Sequence, residues 1–154
     1  MTNNDVLRRI RYVFNFDDNK MISIFSQADV EVTRQEISSW LKKDDDSDFK
    51  RQTDQQLAQF LNGLINDRRG KKEGPQVVAE KKINGNIIFR KLKIALDLKS
   101  DDILHILKLA DFSLSNHELS AFFRKPGHKH YRKCKEQVLR CFLQGLQLKH
   151  RDQK

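Results

Sequence analysis

The sequence contains no apolar run close to the roughly 18 residues that a membrane-spanning helix requires. It begins Met-Thr-Asn-Asn-Asp and lacks the apolar stretch of a secretory signal peptide. These two absences predict a cytoplasmic protein that makes no membrane contact.

Cysteine is scarce, with two in 154 residues, which is too few for a disulfide framework. Cys134 and Cys141 are seven positions apart in a segment with helical periodicity. That spacing would separate them by about 10.5 Å along a helix axis. The prediction therefore excludes a disulfide bridge between them.

Recognisable catalytic motifs are also missing. The sequence has no glycine-rich phosphate loop, no nucleophile elbow and no metalloprotease helix, so we expect no enzymatic activity. Asp44, Asp46 and Asp48 match the first three ligand positions of a calcium-binding loop. Phe49 and Gln55, however, occupy the positions that such a loop reserves for glycine and glutamate. This segment is therefore a poor calcium site.

One segment combines histidine and cysteine, the residue types of metal and thiol sites. His128, His130 and Cys134 lie close in sequence, but the surrounding lysines and arginines oppose a divalent cation. We predict no metal and no cofactor. Lys133 and Lys135 flank Cys134 and predict a lowered thiol pKa, as in a reactive cysteine.

The chain is organised by an internal repeat. At a shift of 82 positions, residues 4–64 align with residues 86–146 without a gap. Matching spacing over that length predicts one fold used twice. Identical pairs include Asn4/Asn86, Ile24/Ile106, Asp29/Asp111, Glu36/Glu118, Phe60/Phe142 and Gly63/Gly145.

Each copy shows the apolar periodicity of four short helices. The third helix opens with a capping box, Thr33 with Glu36 in the first copy and Ser115 with Glu118 in the second. The fold class is therefore all-α, with two tandem homologous four-helix repeats. Because about 60 residues form a marginal domain alone, we expect them to pack as a pseudo-symmetric pair. The predicted boundaries are a first repeat at 1–64, a linker at 65–85, a second repeat at 86–146 and a basic tail at 147–154.

Three segments carry a family resemblance: NDVLRRIRY at residues 4–12, FLNGLI at residues 60–65 and the block at residues 122–146, which includes PGHKHYR. Together with the duplication, they resemble the YehS-like bacterial proteins over nearly the whole chain. The resemblance implies a small cytoplasmic protein with two copies of an α-helical domain of unknown function. It carries over no catalytic residue.

The chain has a net charge of +9, and its positive charge is concentrated in its second half. Residues 1–64 hold 9 basic and 11 acidic side chains, residues 65–85 hold 6 and 3, and residues 86–154 hold 15 and 7. The contrast is largest between helices three and four of each copy. There the acidic loop (residues 44–48) aligns with residues 126–130 of the basic loop (residues 124–135). The acidic loop contains Asp44, Asp45, Asp46 and Asp48, and the basic loop contains Arg124, Lys125, His128, Lys129, His130, Tyr131, Arg132 and Lys133.

The basic loop predicts a nucleic-acid interface, for either DNA or RNA. Clustered lysines and arginines bind phosphates by releasing counterions. Tyr131 could stack on an unpaired base. A plainer interpretation is that Tyr131 anchors the core as Phe49 does at the aligned position, and that the loop is only solvated.

Two alternatives remain open. The acidic and basic loops could pair with each other, which predicts a protein-interaction adaptor or a homodimer. Helices two and three of either copy could instead form a DNA-reading helix-turn-helix. Its exposed side chains would be Arg34, Gln35, Ser38, Ser39 and Lys42, or Asn116, His117, Ser120 and Arg124.

Overall fold

The structure is a computed structural model that describes residues 1–151, and this part of the chain contains eight α-helices and no strand. It divides into two units, Met1–Ile83 and Asn84–Lys154, with four helices in each. The predicted all-α class and the tandem four-helix repeats are therefore confirmed. No helix in residues 1–151 has the length and apolar character needed to cross a membrane. The helices are α1 (Asn3–Phe14), α2 (Asp18–Gln27), α3 (Arg34–Leu41) and α4 (Asp54–Arg69), then α5 (Gly85–Ala95), α6 (Ser100–Leu109), α7 (Asn116–Ala121) and α8 (Glu136–His150).

Local sequence determines where these helices begin. Thr33 and Ser115 accept hydrogen bonds from the backbone N–H of Glu36 and Glu118, whose carboxylates accept in return from the N-cap backbone. Both predicted capping boxes are thus confirmed. At the start of α2, the Asp17 side chain accepts from the N–H of Lys20. These caps satisfy donors that a helix leaves unpaired at its N-terminus.

The last helix of each unit continues beyond the ends predicted at residues 64 and 146. α4 runs to Arg69 and α8 to His150, so each covers residues assigned to the linker or the tail. Both ends carry basic side chains, which interact favourably with the negative end of the helix dipole. Residues 152–154 of the predicted basic tail lie outside the described residues.

Each unit builds its core around its last helix. In the first unit, Phe25 of α2 packs against Phe60 of α4 with 5.4 Å between ring centroids and an angle of 55° between the rings. Gly63 allows the two helices to approach, because a Cβ there would lie 1.9 Å from the carbonyl oxygen of Ile24. In the second unit, Phe89 and Phe142 pack at 4.7 Å. The loop before the last helix is anchored on this rigid frame.

Candidate nucleic-acid interface

The basic loop folds as two consecutive turns. The N–H of His128 donates to the carbonyl of Lys125, and the N–H of Tyr131 donates to the carbonyl of His128. The chain then returns to α7, where the N–H of Arg132 donates to the carbonyl of Ala121 at 3.1 Å. These bonds define the backbone of the loop without any contribution from its charged side chains.

A buried asparagine of α5 holds both ends of this loop. The Asn86 side-chain amide donates to the carbonyls of Phe122 at 3.1 Å and Arg132 at 2.8 Å. Its oxygen accepts from the N–H of Cys134 at 2.8 Å. Three hydrogen bonds to one buried amide fix the loop relative to the helices.

The first unit repeats this arrangement at the aligned positions. Asn4 donates to the carbonyls of Trp40 and Lys50, each at 2.9 Å, and accepts from the N–H of Gln52 at 3.0 Å. The two turns and the return to α3 also recur, through the carbonyls of Lys43, Asp46 and Ser39. The two loops therefore share a backbone and differ in their side chains.

In the first unit, the acidic loop is neutralised in part by Arg8. The guanidinium of Arg8 donates to the carbonyl of Lys42 at 2.6 Å and lies 3.4 Å from the carboxylate of Asp44. Partial burial on its own would raise the pKa of Asp5. Hydrogen bonds from Thr2 and the neighbouring Arg8 outweigh that effect and hold the pKa below its ordinary value. Arg8 thus serves the structure of this unit.

The second unit has lost these charge contacts. Pro126 stands where the first unit has Asp44, and Arg90, at the place of Arg8, is exposed and makes no ion pair within residues 1–151. A local contact is replaced as well. His128 Nδ1 accepts from the N–H of His130 at 3.0 Å, where the first unit uses Oδ1 of Asp46 and the N–H of Asp48. His128 therefore keeps the hydrogen bond of this turn without the negative charge that Asp46 carries in the first unit.

The predicted basic residues lie on the surface. Tyr131 is half-buried, like Phe49 at the aligned position, which supports its role as an anchor. Five of the predicted residues are lysines or arginines, and none of them forms an ion pair in the part of the chain that the structure describes. The guanidinium of Arg132 donates a hydrogen bond to the carbonyl of Tyr131 at 3.3 Å. The exposed residues are Arg124, Lys125, His128, Lys129, His130, Arg132 and Lys133.

The prediction of a lowered thiol pKa at Cys134 is wrong. Burial raises the pKa of Cys134 to about 11, because the thiolate would lose its hydration. Lys133 and Lys135 remain exposed to solvent. Cys134 also precedes α8, which begins at Glu136, so the helical spacing does not describe the cysteine pair. Both cysteines are free, as expected.

The helix-turn-helix interpretation finds little support in the geometry. α7 has six residues and is therefore only about 9 Å long. On α3, Ser39 is buried rather than exposed, and its hydroxyl donates to the carbonyl of Glu36 at 2.7 Å. Arg34 is engaged with Asn19 at 2.6 Å. These helices serve mainly to frame the loops.

A groove lies beside the basic loop, and the sequence alone did not predict it. We call it the histidine groove; its volume is about 370 Å³. The rings of His117 and His130 lie 6.1 Å apart, although the sequence offered His117 only as part of a helix-turn-helix surface and not as a neighbour of His130. They meet because the loop returns to α7. The groove is lined by Leu114, His117, Glu118, Ala121, Phe122, His130, Arg132, Lys133, Lys135 and Val138.

One acidic group, Glu118, belongs to this lining. Its backbone and side-chain hydrogen bonds with Ser115 lower the pKa of Glu118, so it stays ionised at neutral pH. Neither here nor elsewhere in residues 1–151 are three His, Cys, Asp or Glu side chains placed to hold a metal ion.

Comparisons with known proteins agree with the duplication that the two equivalent loops indicate. A family model described as "Protein of unknown function (DUF1456)" matches residues 3–70 and again residues 85–152. The chain belongs to this family. It is 45% identical over 147 residues to the uncharacterized protein YehS of Escherichia coli (strain K12), covering 95% of this chain and 94% of that protein. No solved structure matches it. The resemblance indicated by the sequence is therefore confirmed, as is the duplication within this DUF1456 protein.

Proposed function

We propose that this DUF1456 protein is a non-enzymatic module that acts in the cytoplasm and binds nucleic acid through the basic loop of its second unit. The observation that carries the proposal is the reversal of charge between two loops with the same backbone. Since the first unit folds with aspartates there, the fold does not require the cations of the second. Their role is therefore to be sought in binding.

The exposure of these cations supports the proposal. Arg124, Lys125, Lys129, Arg132 and Lys133 are exposed, and no carboxylate among the described residues pairs with them. Unpaired lysines and arginines can replace the counterions of a phosphate backbone, and this release drives binding at low salt.

The proposal is tested by fluorescence anisotropy with labelled single-stranded RNA, single-stranded DNA and duplex DNA at about 50 mM salt. We expect binding that is lost when the five cations are changed to alanine together. The first unit offers a matched control, because Lys42, Lys43, Lys50 and Arg51 occupy four of the aligned positions. Alanine at those four should leave binding nearly unchanged. Absence of binding to all three probes, or equal loss in both variants, contradicts the proposal.

A second candidate function is self-association or binding of another protein through the two complementary loops. It is favoured by Asp45 and Asp48, whose exposed carboxylates form no ion pair within residues 1–151. The acidic loop of one copy could therefore meet the basic loop of another. Exposed ion pairs contribute only about 0–1 kcal/mol each, so such association should weaken with salt. Light scattering that shows a monomer at low salt, before and after Asp45→Asn and Asp48→Asn, would argue against self-association. An affinity pull-down that recovers no partner would argue against an adaptor.

A further inference from the structure

We infer that the histidine groove is a binding site for one unpaired nucleobase together with an adjoining phosphate. The inference rests on the proposed function and names its ligand class, single-stranded nucleic acid. In a duplex, bases are paired and stacked, so they cannot enter a groove of this kind.

The lining of the groove has the two kinds of surface that a nucleobase requires. Ala121, Phe122 and Val138 are buried and form its apolar part. His117 and His130 are exposed and add two aromatic rings, 6.1 Å apart between centroids. Proteins commonly stack unpaired bases on aromatic side chains, histidine among them.

Charge gives the site its second component. Arg132, Lys133 and Lys135 line the same groove and are exposed, so a phosphate next to the base can bind there. Glu118 would repel a phosphate, which directs the phosphate to the cations. The carboxylate of Glu118 can instead accept a hydrogen bond from the exocyclic amino group of a base.

The size of the groove limits the ligand. A volume of about 370 Å³ lies near the lower end of the range of about 300–1,000 Å³ for small-molecule sites. One nucleotide therefore fits this space better than several stacked bases.

The first unit contains a groove at the corresponding place, with a different chemistry. Its volume is about 490 Å³ and its lining includes Gln35, Ser39 and Asp48, at the positions of His117, Ala121 and His130. It thus replaces both imidazole rings with polar side chains, one of them negatively charged. The groove of the first unit thus lacks the two imidazole rings and has only the ring of Phe49 in its lining, so it provides an internal control.

The test compares three probes on the full chain: a labelled single-stranded RNA of about 12 nucleotides, the same strand with abasic sites, and a duplex of equal length. Since the abasic strand keeps its phosphates, it isolates the contribution of the bases. We expect the intact strand to bind about tenfold more tightly than the abasic strand and the duplex.

The variant His117→Ala with His130→Ala should remove this preference and leave the weaker, phosphate-dependent binding. The variant Gln35→Ala with Asp48→Ala is the matched control and should retain the preference. His117→Gln with His130→Asp introduces the two side chains that the first unit has at these positions, so it serves if the alanine variant loses its fold.

Equal binding of the intact and abasic strands, or a preference that survives both histidine variants, would overturn the inference while leaving the proposed function in place. Absence of binding to all three probes would overturn the proposed function and this inference with it. Suppose that binding is lost only when the five cations are changed, and that the histidine variants keep the preference for the intact strand. That result would support the phosphate interface and overturn the base-binding site.

Discussion

Gly145 faces the carbonyl oxygen of Ile106 so closely that a Cβ would lie 2.0 Å from it. α6 and α8 therefore meet backbone to backbone, as α2 and α4 do through Gly63 and Ile24. No L side chain fits at either contact unless one of the helices moves.

We predict that Gly145→Ala lowers the free energy of unfolding by about 1–3 kcal/mol or more, because an inserted methyl group must displace a neighbouring helix. Gly127→Ala is the control, since a Cβ there meets nothing within 4 Å. Urea unfolding followed by circular dichroism measures both changes. Equal stability of the two variants would show that the helices separate easily.

Replacement of Asn86 by alanine should destabilise the second unit by about 2 kcal/mol or more. The carbonyls of Phe122 and Arg132 and the N–H of Cys134 lose their partner, and buried unpaired groups cost about 1–3 kcal/mol each. Asn116→Ala, at an exposed position of α7, is the control. Urea midpoints that agree for the two variants would contradict the role assigned to Asn86.

The buried thiol of Cys134 should lose its proton at a higher pH in the folded protein than in the unfolded chain. Its pKa is raised from 9.0 to about 11 in the folded protein, so the folded state keeps the proton after the unfolded state has lost it. This contribution to stability is fully present below pH 9.0 and is lost as the pH rises towards about 11. In a Cys141→Ser variant, thiolate absorbance should therefore rise near pH 11 in the native protein and near pH 9.0 in urea. A native midpoint at or below 9.0 would contradict the burial of the thiol.

The salt dependence of nucleic-acid binding should report the number of phosphate contacts that the protein makes. Five cations on a single strand predict a slope of log K against log salt of about −3.5, since each contact adds roughly −0.7. Lys133→Ala should reduce the slope by about 0.7, whereas Lys43→Ala should leave it unchanged. Anisotropy titrations over a range of salt concentrations give the slope directly. A slope near zero would exclude a phosphate interface.

Gln52 is a further target, because it is buried and neither amide atom of its side chain has a hydrogen-bond partner within residues 1–151. Gln52→Met should stabilise the protein by about 1–2 kcal/mol by removing unpaired polar atoms from the core. Gln55→Met on the half-exposed side of α4 should change stability little. Thermal unfolding of both variants is the measurement, and a destabilised Gln52→Met would indicate that the amide is satisfied.

The sequence predicted most of the scaffold. The 82-residue shift identified the pairs Asn4/Asn86 and Gly63/Gly145, and each pair has the same contacts in both units. Capping boxes marked two of the helix starts because their bonds are local. The ends of α4 and α8 were placed too early, since the alignment ended there although the residues that follow continue the helix.

The site was only partly predictable. Charge counting located the basic loop, but it could not show that His130 returns to His117, because that contact depends on a backbone bond from Arg132 to Ala121. The pKa of Cys134 was predicted in the wrong direction for a similar reason. Neighbours in sequence suggested two adjacent ammonium groups, whereas packing buries the thiol and leaves those groups in solvent.

During folding, α4 meets two similar surfaces, because Ile24 and Ile106 present their carbonyl oxygens in the same way. Exchange of helices between related units is a known hazard of duplicated folds. Lys20 and Asp67 distinguish the two surfaces: their ion pair joins α2 to α4 at 2.9 Å, whereas the second unit has Asp102 and Lys149 at these positions, so α4 packed on α6 would place Asp67 against another carboxylate. One polar contact at the end of α4 thus favours the correct partner and protects a duplicated chain against mispairing of its own halves.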